Sequence, residues 1–176
     1  ISRNELEMLK KENGLLSSAM ISLLDMMDRY TEEVTSPPLF PGISWNWFHH
    51  AYKKDFEDTN NISHVLFFNI KGATVLIPGD LEVPGWEKHL TNPNFVSNLR
   101  KVNIFVASHH GRENGYCQEV FNHCHPNVVI ISDGSKQYAT QETINNYASH
   151  CSGVQFNGQL RKVLTTRKDG GVQWLF

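Results

Sequence analysis

Asn103-Ile-Phe-Val-Ala-Ser-His-His-Gly111 is a short apolar run that stops on two histidines and a glycine. Its middle, Ile104 to Ser108, consists of branched, aromatic and small residues, so it reads as a buried strand rather than a helical turn. In open α/β sheets ligands bind beyond the carboxyl ends of the strands, which makes imidazoles at this point candidates for chemistry. The plainer alternative is a pair of polar loop residues beside a turn glycine.

The flanking segments carry the same pattern. Asn60 to Ile70 and Gly72 to Asp80 read as two apolar strands joined by Lys71-Gly72, a hairpin signal. The second ends on Pro78-Gly79-Asp80, and a later run, Val128 to Ser132, ends on Asp133-Gly134. Three strand ends therefore deliver polar groups: Asp80, then His109 with His110, then Asp133. If these strands are neighbours, all of them face one sheet edge. Carboxylate plus imidazole is a ligand set for Zn²⁺, Mn²⁺ or Fe, and a carboxylate can bridge two cations. Such a pair of ions activates water and clamps the oxygens of a phosphoryl ester. Two ligands fall short of the three protein donors that a catalytic metal usually takes. For Asp80 the competing role is to begin the turn or cap the following helix.

Further out, Asn4 to about Tyr30 carries Leu6, Leu9, Leu16, Met20, Leu23, Leu24 and Met27 at helical spacing, the pattern of an amphipathic helix that Gly14 interrupts. Thr35 to Gly42 holds Pro37, Pro38 and Pro41 and is expected to be a linker. Ile43 to His49 follows as a strand, and Lys53 to Asp58 as a solvated loop. Short helices are expected at Pro84 to Leu90 and Asn94 to Leu99, and others at about Tyr116 to Asn122 and Thr140 to His150. Final strands are placed at Gly153 to Phe156, Arg161 to Thr166 and Val172 to Phe176, the last two turning at Asp169-Gly-Gly171. The class is mixed α/β.

At 176 residues, 40% of them hydrophobic, the chain is long enough to bury a core without staples. Sixteen basic against 18 acidic residues give a formal charge of −2, so no global field holds nucleic acid and an anionic substrate needs a local site. Cys117, Cys124 and Cys151 make an odd set without repeated spacing, which argues for a reducing compartment and a cytoplasmic location. No run approaches the roughly 18 apolar residues of a membrane span. The rival metal cluster, Cys117, His123, Cys124, His125 and Cys151, lacks zinc-site spacing. His49 and His50 are further possible ligands, with exposed loop histidines as the bland reading.

The segments Asn60-Asn-Ile-Ser63, Leu76-Ile-Pro-Gly-Asp80, Phe105-Val-Ala-Ser-His-His-Gly111 and Pro126 to Gly134, with Thr166 and Gly171, resemble the metallo-β-lactamase superfamily. The nearest branch is the one that includes the hydrolase domain of competence (DNA-uptake) channel proteins. The resemblance runs from about residue 43 to 176 and implies an αββα sandwich and hydrolysis of phosphodiesters or related esters with two metal ions, zinc first and manganese or iron as alternatives. It implies that Asp80 is the bridging ligand and His110 a second ligand. His109 is either the alternative ligand or the residue that orients it. Asn60, Asn61 and Ser63 would lie near the site with positioning roles, Ser63 having a structural role as its alternative. Apart from the resemblance, Arg112 near these loops is a candidate for a substrate phosphate, with a solvated surface arginine as the plainer alternative, and Asp133 at its strand end is a candidate to meet substrate or support the ligands. Gln137 to Gln141 stands where the family often has a histidine.

The principal metal motif of the superfamily, H-x-H-x-D-H, is absent from this sequence, and the chain begins at Ile1. The chain is therefore expected to be the carboxyl-terminal half of the fold. Residues 1–36 would form a helical segment and 37–176 the β/α half-domain, completed by an amino-terminal half in the parent protein or another chain. On that reading the complete protein is the hydrolase and this chain alone is inactive. The alternatives are a scaffold domain that has kept only the fold and a small-molecule ester or lactam hydrolase.

Overall fold

A computed structural model describes the backbone of Glu32–Phe40 and, with side chains, residues 42–49, 59–135 and 142–173, all within the unit Thr31–Phe176. The helix expected over residues 4–30, His50, the loop of 53–58 and Gln137 to Gln141 lie outside the described residues.

The described part is mixed α/β. The strands are β1 (Glu32–Phe40), β2 (Ile43–His49), β3 (Val65–Ile70), β4 (Ala73–Ile77), β5 (Val102–Val106), β6 (Val128–Ile131), β7 (Val154–Phe156), β8 (Gln159–Arg161) and β9 (Val163–Thr165). The helices are α1 (Val83–Leu90), α2 (Pro93–Leu99), α3 (Ile144–Ala148) and α4 (Thr166–Asp169). Seven strands form one sheet in the order β1-β2-β3-β4-β5-β6-β9, and β7 and β8 form a separate hairpin. Strands β1 to β4 are an antiparallel meander, whereas β4, β5, β6 and β9 run parallel.

This change of sense follows from the connections. Lys71 and Gly72 both have positive φ, 48° and 92°, so two residues reverse the chain between β3 and β4. Between β4 and β5 the chain instead forms α1 and α2, the longer crossover that a parallel pair requires. As a result the carboxyl ends of β4, β5 and β6 lie side by side, and the loops after them meet at one edge.

Alternation along the strands sorts the side chains. Phe48, Val65, Phe67, Leu76, Phe105, Val129 and Ile131 form one buried layer with Trp86, Phe95, Leu99, Val120, Phe121 and Tyr147 from the connecting segments. Phe95 of α2 meets Phe48 and Phe67 edge to face, with ring centroids 5.1 and 5.5 Å apart. Each such side chain contributes about 1.5–3 kcal/mol of burial. On the other face Ile104, Val128 and Leu164 make a smaller buried cluster, and Val75, Ile130, Val154 and Phe156 pack against it. No helix among the described residues is long and apolar enough to cross a membrane.

Several expectations are corrected. Of the proline segment expected to be a linker, Thr35 to Phe40 belong to β1. This strand sits at the sheet edge, where a missing N–H is tolerated, and its register with β2 breaks between Ser36 and Phe40, the interval that holds Pro37 and Pro38. The helix expected to begin near Tyr116 is a 3₁₀ segment, Gln118–Asn122. The helix expected over Thr140 to His150 is only the five residues of α3 among the described positions. Thr166–Asp169 forms α4 rather than leading into a last hairpin. The hairpin of this region is β7 with β8, turning at Asn157-Gly158, where both residues have positive φ. Val172 and Gln173 are not in a strand, and residues 174–176 lie outside the described set.

Candidate metal site

The loop after β4, Pro78 to Glu82, and the loop after β5, Ala107 to Arg112, come together because β4 and β5 are neighbours. His109 N donates to Gly79 O at 3.1 Å, and the buried Ser108 hydroxyl donates to Leu81 O. At the outer rim Asp80 Oδ1 stands 3.6 Å from His110 Nε2, with both side chains about half exposed. Two donors bound about 2.1 Å from one tetrahedral ion lie about 3.4 Å apart, so this separation suits two ligands of a shared cation.

The orientation of His110 agrees with that use. Its Nδ1 lies 2.7 Å from Ser132 O, and a carbonyl only accepts, so Nδ1 carries the proton and Nε2 turns toward Asp80. Ligating histidines are held in the same way, through a hydrogen bond from the other ring nitrogen. His110 is therefore the available member of the histidine pair. His109 is 8% exposed, and both of its ring nitrogens have neighbours. Nε2 lies 3.1 Å from Arg112 Nη1, and because a guanidinium only donates, Nε2 accepts. The proton of the neutral ring is thus on Nδ1, 3.1 Å from Glu82 Oε1. That contact is at ion-pair distance but is not aligned as a hydrogen bond, so its attraction is mainly Coulombic.

The backbone here is strained. His109 (φ 47°, ψ 46°), His110 (φ 56°, ψ 29°) and Gly111 (φ 72°) are three consecutive left-handed residues. For each histidine this conformation costs roughly 1–2 kcal/mol. Strain of this kind persists only where surrounding contacts over-determine it, and it clusters at functional sites. The contacts are the two hydrogen bonds to the β4 loop and a third from Thr143 Oγ1 to Gly111 O at 2.6 Å. Gly115 approaches from the other side, where a Cβ would lie 2.7 Å from Ser108 O.

The asparagines predicted near the site build the β4 loop. Asn61, which is buried, accepts from Glu82 N at 3.2 Å and Gly85 N at 2.9 Å and so caps α1 from outside the helix. Asn60 Nδ2 donates to Glu82 Oε1 at 3.2 Å. Ser63 packs beneath Gly79, where an added Cβ would lie 3.4 Å from its own. Asp133 is engaged elsewhere: its Oδ1 accepts from Arg167 N at 3.1 Å, and its Oδ2 pairs with Arg167 Nη2 at 3.3 Å, which fixes the start of α4. Arg112 Nη1 reaches His109 Nε2, a contact that orients the histidine ring.

Glu82 and Asn114 were not anticipated. Asn114 Nδ2 donates to Glu82 Oε1 at 2.6 Å, which makes this carboxylate, 9% exposed, the meeting point of Asn60, Asn114 and His109. Its only local signal is an acid two residues after Asp80 and just before α1.

His49 stacks on Trp47 at 5.1 Å and lies 5.2 Å from the ring of His64. Burial, and then the proximity of His49, lower the pKa of His64 below the usual histidine value. Among the described residues no set of three or more His, Cys, Asp or Glu side chains is gathered as a metal site. The three cysteines are free and buried. Burial, and for Cys117 a hydrogen bond to Glu119, raise the thiol of Cys117 to about 11; burial and the neighbouring Cys151 raise that of Cys124 to about 12. A cavity of about 320 Å³, lined by Asn46, Asn69, Thr74, Asn98 and Lys101 among others, lies at the opposite edge of the sheet.

Comparison with protein-family models gives no match, and comparison with curated proteins gives none either.

Proposed function

We propose that this chain contributes one half of a metal-dependent hydrolase of the metallo-β-lactamase type, acting on a phosphodiester or related ester, with Asp80 and His110 as two of its metal ligands. The observation that carries the reading is the facing pair itself: Asp80 Oδ1 and His110 Nε2, 3.6 Å apart, at the ends of adjacent parallel strands, with the histidine tautomer set by Ser132 O. Divalent cations held there would supply Lewis acidity for water activation and offset the charge on phosphoryl oxygens. Asp80, half exposed, has a second carboxylate oxygen with which to bridge two ions. The remaining donors, and the second layer of an αββα sandwich, would come from an amino-terminal half outside the described residues. The partly exposed apolar side chains Trp45, Trp47, Leu66 and Phe68 on β2 and β3 support a covering layer of this kind.

The test combines this chain with the rest of its parent protein and follows hydrolysis of bis(p-nitrophenyl) phosphate with Zn²⁺ or Mn²⁺. Asp80→Ala should abolish turnover while leaving the melting temperature within a few degrees. Full activity in that variant removes Asp80 from the mechanism.

A further inference from the structure

The loops after β4 and β5 touch twice. Asp80 faces His110 at the rim, and one layer deeper Glu82 faces His109. We propose that the inner pair is a positioning device, with Glu82 and His109 setting the separation and aim of Asp80 and His110 toward a divalent cation. The proposal rests on the metal-site reading above.

The geometry supports it in three ways. Asp80 and Glu82 flank Leu81, whose side chain is fully buried and whose carbonyl receives the Ser108 hydroxyl, so a displacement at Glu82 is passed to Asp80 through a short pinned segment. His109 and His110 are adjacent left-handed residues, and relaxation of either one into an ordinary basin would swing the other ring away. Finally, Asn60 and Asn114 donate to Glu82 and fix it, and His109 Nδ1 stands 3.1 Å from the same carboxylate while Arg112 occupies the opposite ring nitrogen. A buried carboxylate engaged in this way is unsuited to bind the cation itself and well suited to hold the histidine that does not bind it. Partners behind the ligands of a metal site typically change its affinity 10–100-fold when they are removed.

Glu82→Gln keeps the size of the side chain and an acceptor oxygen but removes the charge opposite His109. Long-range ¹H–¹⁵N spectra of the histidines, recorded on the full chain at pH 8, read the tautomer of His110 without any metal, and a Zn²⁺ titration reads affinity at the same nuclei. The wild-type chain should show one His110 tautomer, protonated at Nδ1. Glu82→Gln should show a mixture, with Zn²⁺ binding weakened about 10–100-fold at a nearly unchanged melting temperature. If that variant does not fold, His109→Asn replaces it, because asparagine tolerates the left-handed backbone. A single Nδ1–H tautomer together with wild-type Zn²⁺ affinity in either folded variant overturns the proposal. Asp80→Ala separates the two layers: if it abolishes binding while Glu82→Gln does not, the positioning role fails and the metal reading stands. Unchanged binding in Asp80→Ala removes the metal reading itself.

Discussion

Replacing Gly111 with alanine tests whether the left-handed run is built as described. The new Cβ carries two penalties. Gly111 has φ 72°, a region that costs an L-residue roughly 1–2 kcal/mol. The Cβ would also lie 2.8 Å from Cγ2 and 3.2 Å from Cδ1 of the buried Ile131, and overpacking of this kind costs about 1–3 kcal/mol. The sum is about 3 kcal/mol, which at about 3 °C per kcal/mol for a chain of this size lowers the melting temperature by about 9 °C. Gly72→Ala is the reference, since Gly72 also has positive φ (92°) but no atom within 4 Å of the added Cβ, so it should lose only about 1–2 kcal/mol. Urea unfolding of Gly111→Ala, Ile131→Ala and the double variant then isolates the clash. Truncating Ile131 removes the obstructing atoms, so the double variant should be about 1–3 kcal/mol more stable than the sum of the single changes predicts. Equal losses at Gly111 and Gly72, with strict additivity, would refute the packing of Gly111 against Ile131.

Asn61→Ala deprives two N–H groups, those of Glu82 and Gly85, of their acceptor. Urea unfolding should show a loss of about 2–6 kcal/mol, given about 1–3 kcal/mol for each of the two buried donors that lose this acceptor. Asp169 pairs in bidentate fashion with Arg161, both contacts at 2.9 Å, and accepts from Thr165 N at 2.9 Å. Burial alone would raise its pKa, but the hydrogen bonds and charge of Arg161 and the Thr165 N–H outweigh burial and hold the carboxyl below its usual value. Its stabilisation is therefore complete above the unfolded carboxyl pKa of about 3.9 and is lost as pH falls through the lower folded value. The stability gap between wild type and Asp169→Asn should thus be constant from pH 7 to about 5 and close at lower pH, as followed by thermal unfolding. All three thiols are pushed up to about 11 or 12, so iodoacetamide at pH 7.5 should leave Cys117, Cys124 and Cys151 unlabelled until urea unfolds the chain. Rapid labelling of any of them in the folded protein, detected by mass spectrometry, would contradict its burial.

The sequence makes the strand ends legible because their signals are local. Lys71-Gly72 marks the turn between β3 and β4, and the apolar runs at 104–108 and 128–132 end where Ser108 and Ser132 leave the sheet. It leaves the choice between His109 and His110 open, because that choice depends on distant partners: Ser132 O takes one ring, while Glu82 and Arg112 hold the other. The second role of Glu82 is hidden for the same reason, since nothing in Pro-Gly-Asp-Leu-Glu reveals which acid faces inward. Asp133 has the right position for a ligand but is turned to Arg167, a contact made across 34 residues. The proline-rich segment reads as a linker because its missing donors are a local signal, whereas their tolerance in β1 depends on a sheet edge, where one side of a strand has no ladder to break. Asn157-Gly158 is a local hairpin signal, and the turn between β7 and β8 forms there.

The switch of β4 from an antiparallel neighbour on one side to a parallel neighbour on the other also bears on the order of assembly. Strands β3 and β4 close through the two-residue Lys71-Gly72 turn, whereas β5 pairs with β4 only across the connection that holds α1 and α2, so that partners such as Leu76 and Phe105 are far apart in sequence. Contacts of long sequence separation form slowly because loop closure precedes the gain from pairing. Asp80 and His110 stand on opposite banks of the seam between β4 and β5. In refolding, amide protection along β3 and β4 should therefore precede any signal from the Asp80–His110 pair, and a protein that loses only this seam would keep the β3–β4 hairpin while Asp80 and His110 part.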